Sequence, residues 1–364
     1  MESFFIIFLC LFAIYFIGAL SPHNWNRRTF IVAFFFLFIL SAFRAPSIGN
    51  DTQNYIDIFQ NISELMTSET RYEIGYLYLN DFIYNHVSDS YRIFFIITSA
   101  FIYFSFGRFI LKYSKTPWLS LMIFMYYGFF SFSISGLRQT IAMAICTYAL
   151  SALIDNKKIL SCLIICFASL FHSSAILFIA ILIFPYLKLS DKTIAILFAA
   201  TIFIASVFNI VLSDFLSIFG QYEHYTEYDS IYSTGGVRIA SVFNALICTL
   251  VFIYGYAKLK FLFRHSDNDV EDTQYSNKIF LFCLAISSAI YILSLQFNML
   301  DRIALYYNMA TLIILPNAIY TLKPINSKVT MTILIILFFL SYQLIIAINR
   351  PEWNNIYPYK FEFL

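Results

Sequence analysis

The stretch Ser135-Gly136-Leu137-Arg138-Gln139 interrupts two apolar runs, residues 118–132 and 140–153, with a glycine, a guanidinium and an amide. A cation in that setting needs a reason. Centring an arginine in a bilayer costs about 2.5–3.5 kcal/mol on insertion scales, so such residues face a protein interior or an aqueous cavity and mark a functional path. Arg44, Arg302 and His172 stand at the ends of other apolar runs. Whether these four meet decides what kind of membrane protein this is.

The rest of the chain supplies the membrane setting. Of 364 residues, 60% are hydrophobic, 20% aromatic and only 12% charged, where a soluble domain carries about 25% charged residues. The apolar material comes in blocks with short charged punctuation, which predicts an all-α polytopic bundle rather than the alternating strands of an outer-membrane barrel. Segments near 3–20, 29–43, 93–111, 118–132, 139–154, 159–171, 174–187, 193–212, 240–257, 279–297, 304–322 and 329–348 read as twelve transmembrane helices. The range is about 10–14, because the shortest segments are brief enough to be tilted or re-entrant. The first is read as an uncleaved helix, since Glu2 stands where a signal peptide is basic.

Charge then orients the bundle. Alternate loops collect Arg27 and Arg28, Lys112 and Lys115, Lys157 and Lys158, Lys188 and Lys192, Lys258 through Lys278, and Lys323 and Lys328 on one side. The positive-inside rule makes that side cytoplasmic. Both termini, the long segments 44–92 and 213–239, and Arg44, Arg138, His172 and Arg302 are expected outside. The parity requires residues 159–187 to cross twice, with the break at His172-Ser173-Ser174. The chain reads as one integral membrane domain, 1–364, without internal repeats.

Other classes are set aside by composition. A net charge of +2 without a basic run excludes nucleic acid as a partner. The six cysteines lie inside apolar runs, Cys162 and Cys166 on one helix face, as small buried hydrophobes rather than disulfides. No metal and no cofactor are expected, because neither a ligand cluster nor a nucleotide-binding glycine loop is present in the sequence.

The external segments carry the remaining polar chemistry. Over 51–66, Tyr55, Ile58, Phe59, Ile62, Leu65 and Met66 oppose Asp51, Asn54, Asp57, Asn61 and Glu64, a helical pattern. Residues 72–87 repeat it with Tyr72, Tyr76, Leu79, Phe82 and Ile83, and both helices are expected to lie in the interface. Asp51 is either an N-cap or a catalytic carboxylate. In 213–239, Tyr222, Tyr225, Tyr228 and Tyr232 stand among Glu223, His224, Glu227 and Asp229. That pattern suits a carbohydrate or an interfacial tyrosine belt. Three outward arginines without evident partners in their own helices suit an anionic group at the membrane surface, since guanidinium holds phosphate bidentately. Pairing of Arg302 with Asp301, or Arg44 with Asp51, is the structural alternative.

Six short motifs then fall in order over residues 40–360: Arg44…Gly49-Asn50-Asp51…Tyr55, Glu73-Ile74-Gly75-Tyr76, Gly136-Leu137-Arg138-Gln139, Phe171-His172-Ser173-Ser174, Asp301-Arg302…Tyr306-Tyr307 and Tyr357-Pro358-Tyr359. In this the chain resembles the EpsG-like polysaccharide polymerases, which belong with the Wzy-type O-antigen and capsule polymerases of bacterial inner membranes. The resemblance implies a GT-C-like glycosyltransferase architecture with its active face outside the inner membrane. It also implies transfer of a growing glycan from undecaprenyl pyrophosphate to a non-reducing-end hydroxyl of a new lipid-linked repeat unit, with a chain-length regulator as partner.

On that reading Arg138, Arg302 and Arg44 hold the pyrophosphates, and Gly136 lets the backbone approach closely. The general base comes from His172, Glu73 or Asp51. Gln139, Tyr76, Tyr306 and the 357–359 tail orient substrate. The competing expectations are a lipid-linked oligosaccharide flippase or transporter, which would place its polar site near the midplane, and a membrane O-acyltransferase with His172 as base.

Overall fold

The computed structural model describes residues 2–19, 25–68, 70–218, 239–260 and 268–362. Among them every regular element is helical, apart from one isolated antiparallel bridge between Arg44 and Phe361. Two apolar helices, α1 (Glu2–Ala19) and α2 (Trp25–Ala42), lead into the short helices α3 (Thr52–Gln60), α4 (Ile62–Leu65) and α5 (Ile74–His86). The chain continues through α6 (Tyr91–Tyr113), α7 (Pro117–Tyr126), α8 (Phe129–Ser135), α9 (Leu137–Ile154) and α10 (Lys158–Ser169). A 3-10 helix, Ser173–Tyr186, precedes α11 (Asp191–Ile218), α12 (Ile239–Leu259) and α13 (Asn268–Leu293). The last helices are α14 (Leu300–Asn308), α15 (Thr311–Tyr320) and α16 (Ile325–Asn349).

Each of the twelve apolar segments coincides with a helix or a bent helix pair. Among the described residues, five helices are long and apolar enough to cross a membrane, or seven when α7–α8 and α14–α15 each count as one span. The first pair bends by 51° at Gly128, whose φ of +104° is left-handed and natural only to glycine. The second bends by 42°. The protein is a polytopic membrane protein.

Burial sorts the helices into centre and flank. Within the apolar window of α9, 83% of residues are buried, against 11% for α16. The difference follows from side-chain size: Ala142, Ala144, Ala149 and Ala152 let neighbouring helices approach α9. The Ser161 hydroxyl of α10 reaches the Ala149 carbonyl of α9 at 2.9 Å. On α16, by contrast, Ile333, Leu334, Leu337 and Phe338 point outward as lipid-facing side chains do. Cys146, Cys248 and Cys283 are buried, but Cys166 is exposed on α10, so that cysteine is not the core residue expected. Its position on the outer face of a flanking helix explains the difference.

The two ends of the bundle carry different chemistry. At one end the basic loops are tied together: Lys112 pairs with Asp155 at 3.3 Å, Lys158 bonds the Tyr186 hydroxyl at 2.9 Å, and Lys278 bonds the Pro185 carbonyl at 3.1 Å. Lys260 pairs with Asp191 at 2.5 Å. The Lys158–Tyr186 bond joins the start of α10 to the end of the 3-10 helix, so residues 158–186 form a hairpin whose turn is His172. At the opposite end lie that turn, the α2–α3 connection and the α8–α9 break. The C-terminal strand of chain is there too: Tyr359 N–H bonds Ser3 Oγ at 2.9 Å, and Glu362 N–H bonds the Phe43 carbonyl at 3.0 Å.

The short helices at that end differ in detail from the sequence pattern. The helix expected over 51–66 is broken at Asn61, whose side chain donates to the Asp57 carbonyl at 2.8 Å and competes with the helical ladder. In α5 the buried stripe is Tyr76, Leu77, Asn80 and Ile83, and Phe82 is exposed where burial was expected. Asn80 is admitted to the core because its amide bonds the Tyr76 carbonyl at 2.7 Å, while Phe82 stacks on His86 outside. The tyrosine-rich stretch 213–239 falls almost wholly on residues 219–238, outside the described residues.

Candidate active site

A broken helix exposes backbone donors and acceptors that need partners. At the α8–α9 break one phenol serves both sides: Tyr55 of α3 donates to the Ser135 carbonyl and accepts from the Leu137 N–H, each at 3.0 Å. Gly136 is crowded here: a Cβ would lie 2.6 Å from the Phe132 ring, which would have to shift.

The break directs Arg138 outward from the first turn of α9, where the helix dipole disfavours a cation. Compensation comes from the Glu73 carboxylate, which pairs with the Arg138 guanidinium, and from the Tyr72 and Tyr76 rings, 5.1 and 5.9 Å from it. The arginine expected to be unpartnered is therefore held, although its side chain remains 25% exposed. The other Glu73 oxygen accepts the Ser173 N–H at 3.1 Å. One carboxylate thus joins α5, α9 and the hairpin turn. Gly75 makes this possible: its N–H bonds the Leu170 carbonyl at 2.8 Å, and a Cβ would come within 2.8 Å of that same oxygen.

His172 sits in that turn, 6% exposed, with Nδ1 hydrogen-bonded to Ser174 Oγ at 2.7 Å. Ser174 in turn donates to the Tyr306 hydroxyl at 3.3 Å. Burial, reinforced by the positive charges of Arg138 and Arg302, pushes the imidazole down to about 3, so it is neutral near pH 7 and a weak base. Tyr306 and Tyr76 are both buried, which makes them supports for the site rather than walls of it.

Arg302, in the first turn of α14, is exposed and makes no ion pair with a described residue. Its neighbour Asp301 accepts instead from Ser241 Oγ at 2.8 Å. The Arg302 carbonyl accepts the Gln139 amide at 2.5 Å, which fastens α14 beside the start of α9 and brings the two arginines to one face. Gln139 is itself buried.

Asp51 completes the group. It occupies the N-cap position of α3, yet its side chain makes no capping hydrogen bond. Partial burial raises its carboxyl above the ordinary value, and the charges of Arg302 and Arg138 oppose that rise. The carboxylate is placed by Gly49, whose φ of +86° and whose proximity to Ile134, 2.5 Å from a Cβ, admit no side chain. Gly49 N–H bonds the Asn355 carbonyl at 3.0 Å, so residues 355–362 brace this turn. The tail expected to orient substrate acts as a strap: Lys360 accepts from Ala45 N–H at 3.0 Å, and the Tyr359 hydroxyl bonds the Leu40 carbonyl.

Arg44 is not brought to this group. It is 2% exposed, with Nη1 on the Ser41 carbonyl at 2.6 Å and Nε on Thr52 Oγ1 at 3.2 Å. Its guanidinium lies 3.9 Å over the Phe95 ring, and Asp51 is not its partner. The site therefore comprises Arg138 with Glu73, Arg302, Asp51 and, behind them, His172. Glu362, which holds Arg92 at 2.7 Å, was not signalled by local pattern, and Tyr55 was signalled only as a motif and helix-face residue, because the partners of both lie far away in sequence.

A family model described as the EpsG family matches residues 27–361. No curated protein matches the chain, and no solved structure does.

Proposed function

Because the chain belongs to the EpsG family, we propose that this membrane protein of polysaccharide biosynthesis is a polymerase. It transfers a growing glycan from undecaprenyl pyrophosphate to the non-reducing-end hydroxyl of a new lipid-linked repeat unit. The observation that carries the reading is the meeting of Arg138, Arg302 and an uncapped Asp51 at the end of the bundle opposite the basic loops. Fixed guanidinium groups stabilise pyrophosphate as negative charge develops on it.

The step balances without a further reactant. The bond between the anomeric carbon and the pyrophosphate oxygen breaks, and its electron pair leaves with the phosphate. The acceptor hydroxyl oxygen forms the new glycosidic bond, and its proton passes to the Asp51 carboxylate and on to water. Asp51 is the base of choice among the three candidates. Both oxygens of Glu73 are taken by Arg138 and Ser173, and His172 is too weakly basic. Arg44 acts at one remove, by holding the start of α3 and with it Asp51.

Twelve crossings follow when α1, α2, α10, the 3-10 helix and α11 are added to the seven spans. The basic end then faces the cytoplasm and the arginine end the outer side of the bacterial inner membrane, where a lipid-linked pyrophosphate sits at the depth of the site. The reaction is tested by incubating purified protein with its lipid-linked repeat unit and resolving the products by glycan length. A ladder of multiples is expected, and unchanged single units would overturn the reading.

A further inference from the structure

A second feature lies at the basic end, away from the arginine site. Between α2 and α6 runs an open groove of about 710 Å³. Its walls include Ile31, Phe35 and Phe104, all exposed. Its floor is set by Gly107, where a Cβ would come within 3.3 Å of Phe34, so the two helices meet closely beneath it. The lining is apolar until one end, where Arg27, Arg108 and Lys112 gather.

Length and charge together identify the occupant. From Arg27 to Phe38 along α2 the lining spans about 16 Å at 1.5 Å per residue. That matches one leaflet of a hydrocarbon core about 30 Å thick. Arg108 is held in place by Ser151 at 3.2 Å and by the Tyr148 ring at 4.1 Å, and neither neighbour neutralises it. Arg27 is exposed and makes no ion pair with a described residue, while Lys112 is shared with Asp155. An apolar slot one leaflet long, with two guanidinium groups at the headgroup level that pair with no described carboxylate, fits an amphiphile with an anionic head. We propose that the α2–α6 groove binds a phospholipid of the leaflet at the basic end, an acyl chain lying along Ile31 and Phe35 and the phosphate held by Arg27 and Arg108. This site is separate from the polymerase reading and stands or falls without it.

The test uses the full-length protein, delipidated in detergent, with phosphatidylglycerol, phosphatidylcholine or inorganic phosphate added, read by native mass spectrometry and by thermal melting. Wild type is expected to retain phosphatidylglycerol roughly tenfold over phosphatidylcholine, with a corresponding rise in melting temperature. Arg27→Gln with Arg108→Gln should bring the two lipids to near-equal retention, and Ala100→Trp, which fills the exposed rim of the groove, should lower retention of both. Arg27→Gln alone, at a surface side chain, keeps the test available if the double variant does not fold, and should reduce the preference severalfold. Equal retention of the two lipids by wild type would overturn the proposal. So would an unchanged preference in the arginine variants, or stabilisation by inorganic phosphate equal to that by phosphatidylglycerol.

Discussion

Arg44 and Arg302 occupy the same kind of place in the sequence, a cation at the end of an apolar run, and opposite places in the molecule. Arg44 is enclosed under the C-terminal strap with two hydrogen bonds and an aromatic face spent on the protein. Arg302 stands in the open, its backbone engaged with Met299 and Gln139 and its guanidinium in no ion pair with a described residue. Arg138 lies between them, partly spent on Glu73 and partly exposed. What separates a structural guanidinium from one free for substrate is how many of its donors the fold has consumed.

The sharpest way to break this contrast is at the carboxylate facing the open arginines. Asp51→Asn should lower the polymerisation rate by about 10²–10⁴-fold, the usual contribution of a general base, with little change in melting temperature. The same residue predicts the acid limb of the pH profile. Because burial raises its carboxyl, activity should fall as pH drops through a value above the ordinary carboxylate range, and Asp51→Asn should remove that limb. In the window between the ordinary and the raised value the folded protein holds more protons than the unfolded chain. Stability from this group therefore falls slightly as pH rises through the window, while the ionised base is gained. A rate profile that ignores this limb in wild type would remove Asp51 from the chemistry.

Next in size, Arg302→Ala and Arg138→Ala should each cost about 10²–10³-fold in rate, as loss of a charge-stabilising donor does. Lysine at either position should restore little, since it cannot bind bidentately. Wild-type rates in folded lysine variants would sink the pyrophosphate assignment. Arg44→Met should instead act through the fold, lowering stability by about 1–3 kcal/mol through lost buried hydrogen bonds, with the rate of the folded fraction within severalfold of wild type. A variant that melts normally and does not polymerise would erase the distinction between Arg44 and Arg302. The smallest effect is expected at His172→Gln, less than about tenfold in rate, because a weakly basic buried imidazole contributes little as a base.

The helical blocks were legible because apolar runs of span length have few alternatives in a membrane, and the alternation of basic loops predicted an orientation for them. Charge parity predicted a reversal at His172, and the structure has a helical hairpin there, closed by the Lys158–Tyr186 bond. Arg138 and Arg302 stood out for the same reason, as cations where hydrocarbon was expected. What local pattern does not carry is partnership across the chain. Glu73 and Arg138 are 65 residues apart, and Gln139 reaches the carbonyl of Arg302 across 163. Nothing in the composition of either segment names the other. Arg44 looked like Arg302 because its burial is imposed by residues near the far end of the chain. The stripe of α5 is shifted from the expected one, with Leu77 and Asn80 buried and Phe82 outside, and Asn80 is admitted because it brings its own hydrogen bond into the core.

The strap formed by residues 355–362 also has a meaning in time. A ribosome delivers the chain from the N-terminus, and helices that precede the strap can pack as they emerge. The turn carrying Gly49 and Asp51 receives its brace from Asn355 and Lys360, more than three hundred residues later. Until those residues arrive, a nascent chain already seated in the membrane holds its arginines over an unbraced carboxylate. Chains truncated before residue 355 should therefore insert normally yet leave the Gly49–Asp51 turn without its brace, an order of assembly set by the position of the strap in the chain.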